Sequence, residues 1–580
     1  MGLNSSLQIG RSALTASQLA LQVTGNNLAN IATPGYSRQL ATLAPIREAG
    51  MGNILVGRGV TVLDVRRQID FALQTRLWAS ISEQAGGSAE LDLLSQVEAT
   101  LNELSDSDLS SELSAFFNAW SELANSPATP GTRSLIIQKG QALAAYIRRL
   151  RADLAEQRTH IDRQIDLNVS RADELVASIA QLNAEIVQIE GTGGMASALR
   201  DQRDSLISEL SQYVDVSTIE QSTGAVDVYI GSTPVVLGGT SRGLRVQRES
   251  GPNGVVVRLR LRESPQDVDV SSGRIGALLS QRGTLVDDTL ERLDRVAANL
   301  IFEVNRIHSA GYGTAALTST VGTRTVAGAD VNRALNDPAN GTFAGLPFRA
   351  VNGGFLVSVR DATTGSTQTV RIEVDLDGID NSGNPGYGDD SSVASIAAAL
   401  NAIPNLSATV NPDGTISINA ASGYEFSFSE DTSGVLAVLG INTFFTGESA
   451  STIGVRDQLA SNPALLSAGA LVDGTPDDNA AALAIAALRD RPVAGLGGMS
   501  ISGSWQDAVQ TIGIRVGSAR TRYEATTIVR ENLEAQRASI SGVNVDEESI
   551  NMLTYQRQYE GAARFITVVD EMTRTLLSLI

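Results

Sequence analysis

Residues 3–31 read LNSSLQIGRSALTASQLALQVTGNNLANI, and the spacing within them sets how the rest of the chain is read. Leu7, Leu14, Leu21 and Leu28 recur at every seventh position. Leu3, Gly10, Ser17, Thr24 and Ile31 fall between them, so the steps alternate between four and three. That is the seam of a coiled coil, and it predicts one helix roughly 43 Å long. One row is all leucine and the other is mostly small, so a partner helix can approach closely. The helix has no second apolar face on which to build a core of its own. The far end of the chain carries a matching stripe: Met552, Tyr555, Tyr559, Ala562, Ile566, Val569, Thr573, Leu576 and Ile580. Phe565, Val568, Met572 and Leu579 widen that apolar arc beyond a two-helix seam. The pattern leaves two readings open: two helices packed inside one monomer, or a pair that also keeps apolar surface for neighbours.

Composition bounds what lies between. The chain has 580 residues, a length expected to fold as three to five domains. Hydrophobic residues make up 42% and charged residues 19%, which is globular rather than disordered. Aromatics reach only 4%, so slim bundles and thin sandwiches are expected in place of one bulky core. No apolar run approaches the ~18 residues of a membrane-spanning helix, and membrane insertion is not expected. The net charge of −20 makes nucleic acid a poor partner, because phosphate chains need clustered cations. Cysteine is absent, which excludes disulfides, thiolate metal sites and cysteine catalysis. The first residues lack a basic cluster and an uninterrupted apolar stretch, so no Sec signal peptide is read there. The chain is expected to stay in the cytoplasm or to leave it by another route.

Helical periodicity continues over 88–105, 109–125, 132–190 and 197–212, with a breaker at SPATPG, residues 126–131. Residues 214–262 switch to period two, the pattern of strands with glycine turns. Helix returns at 274–308, near 477–490 and over 505–542. Residues 345–450 are an island of alternating strands with Asp-Gly and Asn-Pro turns, interrupted by one short helix, SSVASIAAALNAI. The fold class expected is mainly α with β and multidomain. It has paired terminal coiled-coil helices, an elongated helical body and an inserted β-rich domain. The boundaries read as 1–60 for the N-terminal coiled-coil segment with the motif that follows it, and 61–344 for the first part of the helical body with a small β region. The inserted β-rich domain takes 345–450, the second part of the body 451–545, and the C-terminal helix 546–580.

The motif is TGNNLANIATPGYSRQ, residues 24–39. A helix ends in Asn26, Asn27 and Asn30 and is broken at Pro34-Gly35; proline disfavours helix at Thr33, and Gly35 permits positive φ in the turn. An isolated TPG would be only a helix end. The whole string, however, closely resembles the N-terminal signature of bacterial flagellar rod, hook and hook-associated proteins. SGVNVDEESINMLTYQRQYEGAARFITVVDEMTRTLLSL, residues 541–579, resembles the closing motif of the same superfamily. Inside, GRGVTVLDVRRQIDFALQTRL (57–77), FFNAWSELANSPATPGTR (116–133) and ALRDQRDSLISELSQYVDV (198–216) resemble the hook-associated protein 1 family of hook–filament junction proteins. So do YEFSFSEDTSGVLAVLGINTFFTG (424–447) and DDNAAALAIAALRD (477–490).

That resemblance implies a structural subunit that self-associates into a ring between hook and filament, contacts the hook protein and a second junction protein, and is needed for filament assembly. It implies a cytoplasmic stage, export through the flagellar type III apparatus, and an export chaperone that recognises the C-terminal arc. Terminal helices would line an inner tube with the β domain facing outward. The alternatives are another axial protein, such as a hook or rod subunit, or an axial scaffold with an enzymatic insert. The assembly residues expected at the N-terminal side are Leu7, Leu14, Leu21, Asn27, Leu28, Asn30, Pro34, Gly35 and Tyr36. At the C-terminal side they are Met552, Tyr555, Tyr559, Phe565, Ile566, Val569, Met572 and Leu576, for assembly or chaperone. Both ends are expected to order fully only when neighbours cover their stripes, since an isolated helix is marginal in water.

Catalytic signals are weak. Only two histidines exist, which rules out a three-histidine zinc site. His308 is expected to serve the end of its helix and His160 to lie on the surface. DLDGIDNSG, residues 375–383, has acids at 375, 377 and 380 but lacks calcium-loop spacing and the acid at the twelfth place, which is Gly386. It reads as a solvated turn. Asp477-Asp478 is expected to complement the start of an Ala-rich helix. GTGG at 191–194 lacks the Lys-Ser/Thr of a phosphate loop, and Trp78 and Trp120 read as core. No cofactor, metal or catalytic residue is expected.

Overall fold

A computed structural model describes residues 2–47, 49–51, 54–101, 108–192, 194–251, 254–472 and 475–578. The side chain of Leu3, and Leu579 and Ile580 of the C-terminal stripe, lie outside the described residues. The chain is 54% helical with 18% strand, the expected mainly α class with β. Thirteen α-helices occur among the described residues. They are α1 (Gly2–Ala29), α2 (Phe71–Leu101), α3 (Leu109–Asn125), α4 (Pro130–Gly191), α5 (Ser197–Ser211), α6 (Gly273–Gln281) and α7 (Asp288–Ser309). The rest are α8 (Val393–Asn401), α9 (Val435–Leu439), α10 (Asp457–Ser461), α11 (Ala480–Ala487), α12 (Ile501–Ser541) and α13 (Val545–Ser578).

Local chemistry explains several of the ends. Asp108 Oδ1 accepts from the Ser111 N–H at 2.6 Å and starts α3. Ser392 and Ser395 form a reciprocal capping box on α8. The periodic apolar row of α4, from Leu143 and Ile147 through Ile179 and Ile186, is buried along its length. The stretch expected as one helix over 274–308 is broken: a π-helical segment, Arg282–Asp287, separates α6 from α7. At that point Arg282 is tied to Asp162 Oδ1 at 2.6 Å and to the Val255 carbonyl at 2.8 Å. Apolar periodicity does not register such ties.

The chain divides into two compact units. The first comprises 1–93, 161–282 and 517–580, and the second 94–160 and 283–516. In the first, α1 and α13 pack together antiparallel, with Gly10 beside Ile566 and Asn27 bonded to Glu548. A two-stranded hairpin, Gln39–Pro45 paired with Val60–Arg67, packs on α1. The sequence reading assigned no strands there. The period-two region forms an antiparallel sheet of Val216–Glu220, Val226–Ile230, Thr233–Leu237 and Thr240–Ser241 in sequential order. A separate hairpin follows, Leu244–Gly251 with Gly254–Leu261.

The core of the second unit is aromatic. Phe116 and Trp120 of α3 pack with Phe444 and Phe445, and every one of these rings is buried. The strand island yields one sheet in which Gly353–Asp361 lies between Thr367–Val374 and Tyr424–Ser429. A second has Ile416–Ala420 between Ser319–Val321 and Leu406–Val410.

Candidate assembly interface at the paired termini

Of the two heptad rows of α1, the small one makes the close contact. Gly10, Ser17 and Thr24 are buried, together with Ala16, Ala20 and Val23. A Cβ at Gly10 would sit 2.6 Å from Ile566 Cγ1, so only glycine lets α13 come this near. Leu7, Leu14, Leu21 and Leu28 are half-buried. On α13, Ala562 and Val569 are buried and Met552, Tyr555 and Ile566 half-buried, so they form the side that meets α1. The remaining predicted residues, Tyr559, Phe565, Met572 and Leu576, are exposed, as are Ile550, Leu553, Val568 and Leu577. One helix therefore carries two apolar faces, and only one of them is covered within the chain.

The Thr33–Tyr36 turn anchors the pair. The Tyr36 N–H donates to the Thr33 carbonyl at 3.2 Å across exposed Pro34, and Gly35 takes φ +83°. Asn30 Nδ2 donates to the Asn26 carbonyl at 2.9 Å and closes the end of α1. Asn27 is 1% exposed and uses its whole amide. Its Nδ2 donates to the Gln39 carbonyl (2.9 Å) and to Glu548 Oε2 (3.2 Å); its Oδ1 accepts from the Gln39 N–H (2.9 Å) and the Tyr36 hydroxyl (2.8 Å). Glu548, equally buried, receives Arg38 Nε at 2.8 Å, and Arg38 also pairs with exposed Glu547 at 2.7 Å. Behind the turn, the Ser37 N–H donates to Asp201 of α5 at 3.3 Å. Arg67 then bridges Asp201 and Asp204 at 2.9 and 2.8 Å. Burial, reinforced by the charge of Asp201, pushes the Tyr36 phenol up to about 12, so it remains a hydrogen-bond donor at neutral pH.

The sequence reading missed Arg38, Glu548, Arg67, Asp201 and Asp204 as site residues. All five lie in or beside strings quoted above for their resemblance. That shared origin was the available signal that those strings meet.

The catalytic candidates resolve into structure. His308 is fully buried between Trp120 and Phe444. Nε2 accepts from the Ser467 N–H at 3.1 Å, so Nδ1 carries the proton and donates to the Asn442 carbonyl at 2.8 Å. This corrects the expectation that it serves its own helix end; Asn442 Nδ2 does so, donating to the Ser309 carbonyl at 3.2 Å. Burial pushes the imidazole down to about 4, with the charges of Arg456 and Arg133 acting in the same direction. His160 is exposed, and Trp78 and Trp120 are buried. Asp477 and Asp478 precede α11: Asp477 accepts from the N–H of Asn479, the N-cap of that helix, at 3.2 Å, and Asp478 accepts from the Tyr312 hydroxyl at 3.1 Å. In the acidic loop, the carboxylates of Asp375, Asp377 and Asp390 come within 4.8 Å of one another. Asp380 stands apart and accepts from the Ser382 and Asn384 N–H groups at 2.9 Å each, as a turn residue does. Among the described residues no helix is long and apolar enough to cross a membrane.

Comparison with known proteins follows the same division. The flagella basal body rod protein family matches residues 7–36, and the flagellar basal body rod FlgEFG protein C-terminal family matches 534–579. These ranges cover most of α1 with its turn and all but the last residue of the C-terminal stripe. The ends are thus similar to those of flagellar axial proteins. Between them, the flagellar hook-associated protein FlgK helical domain matches residues 94–322. Flagellar hook-associated protein 1 of Escherichia coli is 24% identical over 587 residues, covering 98% of each chain. That of Salmonella typhimurium is 24% identical over 584 residues with the same coverage. Over nearly its whole length the chain is thus similar to proteins named flagellar hook-associated protein 1. A solved flagellar hook junction protein FlgK from Burkholderia pseudomallei aligns with 80% of this chain and 100% of its own, at 17% identity and a TM-score of 0.48.

Proposed function

We propose that this chain is the structural subunit of the ring that joins the flagellar hook to the filament. The observation that carries the reading is the α1–α13 pair, which has one covered seam and one bare apolar arc. A subunit built this way sticks to sister molecules along its rod. A junction also needs two unlike faces, one for the hook protein and one for the second junction protein, and heterologous contacts between copies supply them. Before assembly the arc on α13 fits an export chaperone, since an amphipathic helix laid in a groove is a common recognition mode. Export through the flagellar type III apparatus is the route that the resemblance implies. Nothing in this role requires catalysis or a cofactor.

The test is electron microscopy of a strain lacking the gene. The expected result is hooks without filaments and flagellin released into the medium, both reversed by the full chain. Normal filaments in the deletion strain would overturn the reading.

A further inference from the structure

The second unit holds a cavity of about 550 Å³, within the roughly 300–1,000 Å³ that small-molecule sites occupy. One side of it is the polar face of the sheet in which Gly353–Asp361 lies between Thr367–Val374 and Tyr424–Ser429. The register sets six side chains there in two rows across three strands: Thr369, Ser358 and Ser427, then Thr367, Arg360 and Glu425. Neighbours within a row stand about 4.8 Å apart and the rows about 7 Å. The Thr367 and Ser427 hydroxyls have no partner among the described residues, and Arg360 meets Glu425 only at 3.8 Å. This face does not look onto open water, because Tyr312, Leu471 and Pro476 line the same cavity. Tyr312 is fixed in place. Its hydroxyl donates to Asp478 at 3.1 Å, and its ring lies on Gly469, where an added Cβ would come within 2.6 Å. Ser467 also lines the cavity; it is fully buried, its N–H is taken by His308, and its Oγ has no partner. A buried hydroxyl left unpaired is costly, and a ligand that bonds to it removes that cost.

We propose that this cavity binds a neutral saccharide of one or two units, its hydroxyls taken by the sheet face and Ser467 and its C–H face laid on Tyr312. The lining chemistry selects that class. Serine and threonine hydroxyls both donate and accept, as sugar hydroxyls do, and their spacing across the strands suits a sugar ring. The Glu425 and Asp478 carboxylates accept hydroxyl protons, and the Arg360 guanidinium donates. Two carboxylates against one guanidinium disfavour phosphate and other anions. An extended peptide is also disfavoured: it would pair with a strand edge, whereas the cavity lies on the face of the sheet, where the backbone groups already serve the ladder.

The test is titration calorimetry of the full chain with maltose, lactose, cellobiose and N,N′-diacetylchitobiose at millimolar concentration, and with inorganic phosphate. At least one sugar is expected to bind saturably at one site per chain, and phosphate is expected not to bind there. Glu425→Gln and Ser467→Ala should each weaken the sugar about tenfold. Ser467→Ala should also leave the melting temperature of the free protein unchanged or raised, since it deletes an unpaired hydroxyl; a serine that only supported the fold would lower it. If that variant does not fold, Glu425→Gln decides alone. No saturable binding by any of the four sugars overturns the proposal. Phosphate binding at the same site, or sugar binding that neither substitution weakens, overturns it equally. The junction role is untouched by either result.

Discussion

Asn27 and Glu548 lie 521 positions apart in sequence and share one hydrogen bond at 3.2 Å. The bond matters because both side chains are buried and neither has spare capacity. Replacing Glu548 with alanine would leave the Arg38 guanidinium with only exposed Glu547 and would strand one Asn27 donor. Removing one partner of a buried charge pair costs about 3 kcal/mol or more, because the other is left uncompensated. Glu548→Ala should therefore sharply accelerate amide exchange along α1 and α13 while exchange in α3 and α7 stays unchanged. Equal acceleration in both units would refute a local role. His308 makes a different prediction. Its folded value near 4 lies below the ordinary 6.5, so between those values the unfolded chain binds the proton and the folded one does not. Stability from this group is complete above about pH 6.5 and falls by roughly 1.4 kcal/mol per unit as pH drops toward 4. Urea midpoints of the second unit should show that slope, and His308→Gln should flatten it.

At the scale of elements, α1 is predicted as a seam, and the structure decides which row of the seam is the contact. Leucine rows normally supply the knobs, but here Gly10 of the small row lies against Ile566, where a leucine would hold α13 off. Gly10→Leu should force the helices apart, at an overpacking cost of about 1–3 kcal/mol. Gly25 lies in the same helix with nothing within 4 Å of an added Cβ, so Gly25→Ala should be neutral or stabilising by up to about 1 kcal/mol. Thermal melts of the two variants check both signs. The hairpin over 39–67 was not read as strand, although VTVLDVRR at 60–67 alternates as a strand does. Its second strand carries a bulge at exposed Leu63, which is left unpaired where the register shifts opposite Thr42/Leu43, so the pattern is short and interrupted.

For the whole molecule, the terminal pair is joined to the first unit through the turn at 30–39 and the Asp201–Arg67–Asp204 bridge. The second unit contains none of these residues. Deleting 1–35 or 546–580 should therefore abolish incorporation into flagella while the second unit keeps its fold. The near-ultraviolet signal of its buried tryptophans, Trp120 and Trp505, reads out the second part. Truncations that assemble normally would remove the assembly role of the ends. In the intact monomer at low concentration, α13 buries one face only. Its amides should exchange faster than those of α7, whose row from Leu293 to Val304 is sealed, and should slow on assembly.

The sequence alone determined most of the helices, most strands of the island, the breaker turns and the shared character of the two ends. Each rests on local periodicity or on the conformational limits of proline and glycine, which act within a few residues. Tertiary structure alone decided that the small row of α1 meets α13, that Asn27 closes on Glu548, and that His308 is sealed by Asn442 and Ser467. It also placed the break at Arg282 and the division of α13 into a covered and a bare face. The physical reason is range: periodicity states which side of an element is apolar, whereas the partner of that side, and of any buried polar group, is chosen by packing between segments hundreds of residues apart.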